Sequence, residues 1–381
     1  MATMGRSRLR WRLAGCSVVV FALAAGCVPV SPPTGPSPDA APAASDPRYV
    51  ADGPDPVGIT TLQLSDRKVD VWYPAQPTAG PTDTDDLANV LPPSLAPLIP
   101  AALHLKLDLH GHRDAAPSGG DHPLVLFAHG IFSWRDQSAS LMAHLASWGF
   151  VVASPDFPEY GLAALQGTGV PFLGDAEAAM DRVVDRLRAE NAGDGLLSAQ
   201  MNFDEVAVTG HSLGGLMATL YASRPFIKAY IPLASALVPA SYEPDATHGG
   251  ATKAAMWIRA TTDATHADVF LPSAADDSLG PRAVVSIIGG GHVGPFSDLC
   301  DAGGIGVIPA LAYAGIYLPD QLAVVADDGC SDPNRAAEAE VVGHFVTAEL
   351  RWRLGLDPQP VGLGVGVLAT LPAAVTYTHN P

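Results

Sequence analysis

The turn at residues 210–215 constrains the fold most strongly, because a strand must become a helix there without a connecting loop. The run VAVTG at 206–210 is apolar and β-branched, as a buried strand is, and a helical pattern follows directly after Ser212. Such a turn forces the serine into a strained backbone conformation and leaves no room for side chains at Gly210 and Gly214. It raises the serine hydroxyl above the sheet at a helix N-terminus, and we predict a nucleophile elbow.

Short apolar runs alternate with longer amphipathic ones around this turn, which is typical of a parallel sheet flanked by helices. The predicted fold class is α/β: a mostly parallel, twisted sheet of about eight strands with helices on its faces. Strands are predicted at 69–75, 123–130, 149–158, 206–210, 229–236, 254–261 and 283–290, and helices at 137–148, 175–193, 213–223 and 335–354.

The first residues have the pattern of an export signal. Four arginines precede an apolar run that is shorter than a bilayer span and ends in LAAGC at 23–27. This end is similar to a bacterial lipobox with Cys27 as the lipidated residue, although the leucine lies one place too early. The next residues, 28–47, are rich in proline and small polar residues, which predicts an extended tether.

These patterns predict four segments and a location. We expect a protein held in the bacterial cell envelope by a lipid anchor in the membrane, with plain secretion as the alternative. The segments are a signal peptide at 1–26, the lipidated cysteine and tether at 27–47, a catalytic domain at 48–357 and a C-terminal tail at 358–381.

Two of the four cysteines remain if Cys16 is cleaved off and Cys27 is lipidated. In an exported protein, Cys300 and Cys330 would then form a disulfide, with two free thiols as the alternative. No Cys/His spacing indicates a metal site, and no cofactor is expected.

The charge balance restricts the partners. The chain carries 21 Lys and Arg against 39 Asp and Glu, so its surface repels polyphosphates and nucleic acid is not expected as a partner. We expect a small-molecule ester substrate and a monomeric protein.

Two residues beyond the elbow complete a candidate catalytic set. A serine hydroxyl is a weak nucleophile at neutral pH and needs a base that a carboxylate orients. Asp263 and His292 follow Ser212 in that order, each just past the end of a predicted strand, where sites of open α/β sheets lie. Asp298 and Asp268 are the alternatives to Asp263 as the acid.

A tetrahedral intermediate also needs amide N–H donors for its oxyanion. Leu213 follows the nucleophile and supplies one, and the loop after FAHG supplies the other from Ile131 or Phe132. His129 either braces that loop or fills space. His211 is interpreted as a packing residue rather than a second base.

Four blocks of sequence together resemble the α/β-hydrolase superfamily. The resemblance is narrower to the group of platelet-activating-factor acetylhydrolases, chlorophyllases and polyester hydrolases, and it extends over residues 50–355. It implies hydrolysis of short acyl esters through an acyl-enzyme without a cofactor. The blocks are VWYPA (71–75), PLVLFAHG (123–130), HLASWGFVVASPDFP (144–158) and GHSLGG (210–215).

One departure from that group concerns the acid. In eukaryotic platelet-activating-factor acetylhydrolases the acid follows the strand directly after the elbow helix, whereas here that strand ends in PLASALVP, without a carboxylate. Asp263, one strand later, resembles the position used by dienelactone hydrolases and bacterial polyester hydrolases. The resemblance therefore favours the triad chemistry without favouring a phospholipid substrate.

The sequence thus predicts a serine carboxylic-ester hydrolase. A binding lipoprotein without catalysis and an amide or peptide hydrolase with the same triad are the alternatives. The long segments 76–122 and 293–334 flank the expected site, and long loops of this kind tend to be functional.

Overall fold

The computed structural model describes most of the chain after the predicted tether. The described residues are 45–90, 96–98, 104, 106–162, 164, 173, 175–235, 253–265, 281–301 and 328–380. All belong to one unit, Ala40–Pro381. The predicted signal peptide, the lipidation site Cys27 and the alternative acid Asp268 lie outside the described residues. In the described part of the chain, no helix combines the length and apolar character that crossing a membrane requires.

Twelve strands and five α-helices are assigned within these residues. The strands are β1 (Val57–Gln63), β2 (Lys68–Pro74), β3 (Thr84–Asp86), β4 (Lys106–Asp108), β5 (His112–Arg113), β6 (His122–Ala128), β7 (Val151–Pro155), β8 (Met201–His211), β9 (Ile227–Leu233), β10 (Ala254–Ala260), β11 (Arg282–Ile287) and β12 (Val375–Asn380). The helices are α1 (Leu87–Val90), α2 (Ala139–Ser147), α3 (Ala176–Ala192), α4 (Leu213–Tyr221) and α5 (Arg335–Arg353).

Ten of these strands form one sheet, in the order β12-β11-β10-β9-β8-β6-β7-β2-β1-β5. The six consecutive strands from β11 to β7 are parallel, while β12, β2 and β1 pair with their inner neighbours antiparallel. The predicted α/β class and mostly parallel sheet are confirmed. The sheet has more strands than predicted because β1, β5 and β12 lie outside the predicted runs.

The core lies on both faces of the sheet. Strand β6 is buried almost throughout. Its sequence is one continuous apolar run, which is typical of parallel strands that are covered on both faces. Its Phe127 belongs to the cluster shared with α2 and α5, whereas Leu126 belongs to the cluster shared with α3 and α4. Helices therefore cover the two sides of β6, and only the ends of the inner strands remain for a site.

The segment expected as a separate tail joins the sheet. Val375–Asn380 forms β12 and pairs along its whole length with β11. The glycines at 362–366 obscure this strand in the sequence, but the alternating VTYTHN that follows suits an edge strand with one covered face. The folded domain thus extends through the described C-terminal residues, beyond the boundary at 357.

Cys300 and Cys330 form the predicted disulfide, with their Cα atoms 5.1 Å apart. The bond joins the short 3-10 helix Asp298–Cys300 to the segment that precedes α5. It therefore closes the loop that follows β11.

Reduction of this disulfide should lower the free energy of unfolding by about 3–4 kcal/mol, because the unfolded chain regains the freedom of a ring of some 30 residues. Urea denaturation with and without a reductant measures the difference. A Cys300→Ser, Cys330→Ser double variant serves as the control and should show no further loss on reduction. Equal stability of the oxidised and reduced protein would contradict this expectation.

Candidate active site

Ser212 lies at an abrupt junction between β8 and α4. Its φ of 55° and ψ of −120° are strained for a residue with a side chain. A Cβ atom placed on Gly214 would lie 2.1 Å from the carbonyl oxygen of Ala128 and 2.3 Å from that of His129. A Cβ atom on Gly210 would lie 2.4 Å from the oxygen of Gly214. The turn can form only because both positions are glycine.

Asp263 and His292 follow β10 and β11 at the same edge of the sheet. The Nδ1 atom of His292 donates to Oδ2 of Asp263 over 2.8 Å, and both side chains are only 3% exposed. Thr265 donates to the other carboxylate oxygen through its amide and its hydroxyl. Burial raises the pKa of Asp263, but the bond to His292 and the donors of Thr265 outweigh it, so the pKa lies below its ordinary value. The pair suits an ionised acid that holds one imidazole tautomer.

The side chain of Asp298, the alternative acid, bonds Ser140 and not His292. Both of its carboxylate oxygens accept hydrogen bonds from Ser140, one from the amide at 2.8 Å and one from the hydroxyl at 2.5 Å. Of the two candidate acids that the structure describes, Asp263 is therefore the one paired with His292.

The residue before Ser212 in the chain contacts this pair. It is His211, whose ring is 4.8 Å from the ring of His292, measured between centroids. Among the hydrogen bonds of the described residues, none joins the Ser212 hydroxyl to His292. Catalytic hydrogen bonds of this kind are often long or poorly aligned without substrate and shorten in the complex.

The loop after β6 lies against the elbow. A Cβ atom on Gly130 would be 3.5 Å from Cβ of Ser212. The amide of Phe132 already donates to the carbonyl of Tyr160 at 2.8 Å. The amide of Leu213 begins α4 and has no intrahelical acceptor. In the backbone bonds of the described residues the amide of Ile131 has no acceptor either, so Ile131 suits the second donor better than Phe132.

His129 braces this loop. Its Nε2 atom accepts from the amide of Phe157 at 3.0 Å, so the proton lies on Nδ1, which donates to the carbonyl of Gly130 at 2.8 Å. Burial lowers the pKa of His129 to about 4, which keeps the ring neutral near pH 7.

Gln137 connects the same loop to the backbone of His292 through His211, and no sequence pattern points to it. Its Oε1 atom accepts from the amide of Gly130 at 2.7 Å, and its Nε2 atom donates to Nδ1 of His211 at 2.6 Å. Nε2 of His211 then donates to the backbone carbonyl of His292 at 2.7 Å. Burial lowers the pKa of His211 to about 3, and the nearby His292 adds to this shift. His211 is therefore a neutral link between two loops.

Arg135 anchors the far end of the loop after β6. Its guanidinium donates to Asp70 at 2.7 Å, Asp85 at 2.8 Å and Asp156 at 3.1 Å. Its carbonyl accepts from the hydroxyl of Ser154 at 2.6 Å. The loop after β6 is thus held by polar contacts at both ends.

Among the described residues, no three or more His, Cys, Asp or Glu side chains are grouped so that they could bind a metal ion. The residues that are present are a serine on a strained turn, a buried His–Asp pair and two backbone amides without an acceptor in the described part of the chain. Residues of these types, brought together, are those that acyl transfer through a covalent intermediate requires.

Part of the sequence is similar to a known family. The family model of chlorophyllases matches residues 115–238, less than half of the chain. This stretch contains the loop after β6 and the turn of Ser212 but ends before Asp263 and His292.

One curated relative and one solved structure are also similar. The α/β hydrolase ucsC of Acremonium sp is 31% identical over 115 residues, which are 30% of this chain and 23% of that protein. The chain thus matches less than a quarter of that relative's length. The structure of a ferulic acid esterase from Streptomyces cinnamoneus superimposes with a TM-score of 0.59 and 20% identity, over 86% of this chain and 98% of that one. At this identity the likeness concerns the fold.

Replacing Gln137 with Ala should lower the free energy of unfolding by about 2–4 kcal/mol, because it leaves the amide of Gly130 and Nδ1 of His211 buried without partners. Chemical denaturation measures the loss. Gln63→Ala is the control, since the Gln63 amide contacts only nearby carbonyls at the end of β1, and it should cost less than about 0.5 kcal/mol. A Gln137→Ala protein as stable as the control would disprove the buried link.

The protein should lose stability as the pH falls below 6.5. The imidazoles of His129 and His211 have pKa values of about 4 and about 3 when folded, against 6.5 ordinarily. The unfolded chain therefore binds these protons first, and acid favours unfolding. Urea denaturation at pH values from about 7 to about 4 measures the effect, to which His211 should contribute on the order of 3 kcal/mol.

Two substitutions test this origin. His211→Gln should reduce the dependence of the free energy of unfolding on pH. His110→Asn is the control and should leave that dependence unchanged, because His110 is exposed and its left-handed backbone conformation tolerates asparagine. An unchanged slope in His211→Gln would assign the acid sensitivity to other groups.

Proposed function

Because the chain belongs to the α/β-hydrolase superfamily, we propose that it is a serine carboxylic-ester hydrolase that cleaves short acyl esters through an acyl-enzyme. The observation that carries the proposal is the buried Asp263–His292 pair beside the strained turn of Ser212. Strained backbone of this kind is found where function requires it.

In the first half of the reaction, the hydroxyl oxygen of Ser212 attacks the ester carbonyl carbon. Nε2 of His292 takes the hydroxyl proton, while Asp263 holds the ring through Nδ1 and stabilises the imidazolium. The amides of Leu213 and Ile131 donate to the oxyanion. The intermediate then collapses: the alcohol leaves with the proton from His292, and the acyl group stays on the serine.

In the second half, water replaces the alcohol. His292 takes a proton from the water as its oxygen attacks the acyl carbon, and it returns that proton to the Ser212 oxygen when the carboxylic acid departs. No cofactor takes part in either half.

The comparisons support hydrolysis in general and an ester in particular. The matching curated relative is named a hydrolase and the similar structure is named an esterase. The choice of short acyl groups rests on the resemblance of the sequence blocks, as does the absence of a phospholipid preference.

We also propose that the enzyme acts as a monomer in the bacterial cell envelope, anchored to a membrane through Cys27. The arginine-rich, apolar start and the proline-rich segment after Cys27 support this location. A disulfide between Cys300 and Cys330 is compatible with an oxidising compartment.

Ser212→Ala should lower kcat for p-nitrophenyl acetate by about 10⁴-fold or more, because no other group in the triad can carry the acyl group. Ser198→Ala is the matched control, since the Ser198 hydroxyl contacts only the carbonyl of Gly193 on the surface. A fluorophosphonate probe followed by mass spectrometry should label Ser212 in the wild type. Undiminished hydrolysis by Ser212→Ala would refute the mechanism.

Two further readouts separate the alternatives. A protein without turnover and without a Ser212 adduct would be a binding protein rather than an enzyme. Faster cleavage of a matched anilide than of the ester would indicate an amide hydrolase. A p-nitrophenyl series from acetate to palmitate should show the highest kcat/KM for the short chains.

A further inference from the structure

Asp328 lies at the junction of the two loops that carry the acid and the base. One oxygen of its carboxylate, Oδ2, accepts from the amide of His292 at 2.6 Å and from the amide of Ala264 at 2.8 Å. Ala264 directly follows Asp263. A single atom of Asp328 therefore holds the backbone at His292 and the backbone next to its partner.

The backbone of Asp328 holds the histidine loop a second time. Its carbonyl accepts from the amides of Val293 at 3.1 Å and Gly294 at 3.0 Å. Asp328 thus accepts four amide hydrogen bonds, three of them from the consecutive residues His292, Val293 and Gly294. Hydrogen bonds from N–H groups to a carboxylate are stronger than those between neutral groups.

Gly291, which directly precedes His292, makes this approach possible. A Cβ atom on Gly291 would lie 2.5 Å from the carbonyl carbon of Asp328 and 2.4 Å from the amide nitrogen of Gly329. Gly329 itself has a φ of +83°, which a residue with a side chain rarely adopts. The segment around Asp328 can therefore pack against the histidine loop only because Gly291 and Gly329 are both glycine.

Covalent and polar contacts fix that segment in turn. Cys330, two residues beyond Asp328, is bonded to Cys300. Cys300 ends the short helix in which the amide of Asp298 donates to the carbonyl of Gln137 at 2.8 Å. Asp328 is thus tied to the network that supports the loop after β6.

Other contacts also join the two catalytic loops. Thr261 bonds the carbonyls of Ile287 and Gly289 through its amide, and Thr262 bonds the carbonyl of Gly290 through its hydroxyl, at the starts of the loops. The hydroxyl of Thr265 lies 3.4 Å from Nδ1 of His292 and thus contacts side-chain atoms of the pair. Asp328 differs in holding the backbone of both loops, at the amides of His292 and Ala264.

We propose that Asp328 is a positioning residue that sets the distance and angle between Asp263 and His292. The proposal rests on the proposed function for its kinetic consequence, although the geometry concerns the pair itself. Asp328 contacts backbone amides only, so it takes no part in proton transfer. Its removal should let the two loops separate and lengthen the bond from Nδ1 of His292 to Oδ2 of Asp263.

Asp328→Ala and Asp328→Asn in the full chain separate positioning from chemistry. The alanine variant loses the acceptor, and kcat for p-nitrophenyl acetate should fall about 100-fold while KM stays within about threefold, since small misplacements of catalytic groups have effects of this size. The asparagine oxygen can still accept both amides, so this variant should recover kcat to within about tenfold of the wild type. Asp301→Ala is the matched control: Asp301 adjoins the same disulfide but pairs with Arg335 on the surface, and its loss should leave kcat within about twofold.

Proton NMR gives a readout that does not depend on turnover. The proton between Nδ1 of His292 and Asp263 should give a low-field resonance in the wild type, in Asp328→Asn and in Asp301→Ala, and it should shift or broaden in Asp328→Ala. Circular dichroism and thermal unfolding establish that each variant is folded. If Asp328→Ala does not fold, Asp328→Asn is compared with Asp301→Ala and the wild type instead. Loss of the resonance in a folded Asp328→Asn protein would contradict the proposal, because the asparagine oxygen should still accept both amides.

These experiments test the positioning role of Asp328 separately from the proposed esterase function. A wild-type protein without esterase activity or Ser212 labelling would refute the function, while the resonance would still test the positioning. Wild-type kcat and an unchanged resonance in folded Asp328→Ala would overturn the positioning role and leave the esterase proposal intact. A fall in kcat with an unchanged resonance would overturn it as well.

Discussion

The close approach of the first turn of α4 to the carboxyl end of β6 is the constraint on which the site depends. The backbone of Gly214 lies against the carbonyls of Ala128 and His129 so closely that even a methyl group would not fit. The loop after β6 also lies against the turn of Ser212, where a Cβ atom on Gly130 would be 3.5 Å from Cβ of Ser212. The strained backbone of Ser212 persists because the packing around it, and not its own preference, determines its conformation.

Buried hydrogen bonds then fix what the backbone has brought together. One chain of donors and acceptors runs from the amide of Gly130 through Gln137 and His211 to the carbonyl of His292. Each member satisfies its neighbour, and a buried polar group left without a partner would be costly. Because His211 remains neutral, the chain adds no charge beside His292 that could compete with Asp263. The link from the loop after β6 to His292 is thus neutral, whereas the partner of the His292 ring is a carboxylate whose pKa lies below its ordinary value.

The sequence predicts those parts of the structure that rest on local patterns. Strand β6 is one apolar run, α3 has a clear helical period, and the serine between glycines requires a particular turn; each is found within a few residues of the expected bounds. The disulfide follows from the cysteine count. Residues that act over long distances have no such pattern. Gln137 bonds His211 across 74 positions and Asp328 bonds His292 across 36, and both stand in ordinary polar stretches.

The position of β12 has a consequence for the order in which the protein can fold. Arg282 at the start of β11 pairs with Asn380, so the outer neighbour of β11 is synthesised only after the loop of His292 and the whole of α5. Until then β11 is an edge strand whose unpaired amides and carbonyls could bind another chain. The half of the sheet that carries Ser212 can assemble early on the ribosome, whereas the half that carries His292 acquires its last partner only after α5 has been synthesised.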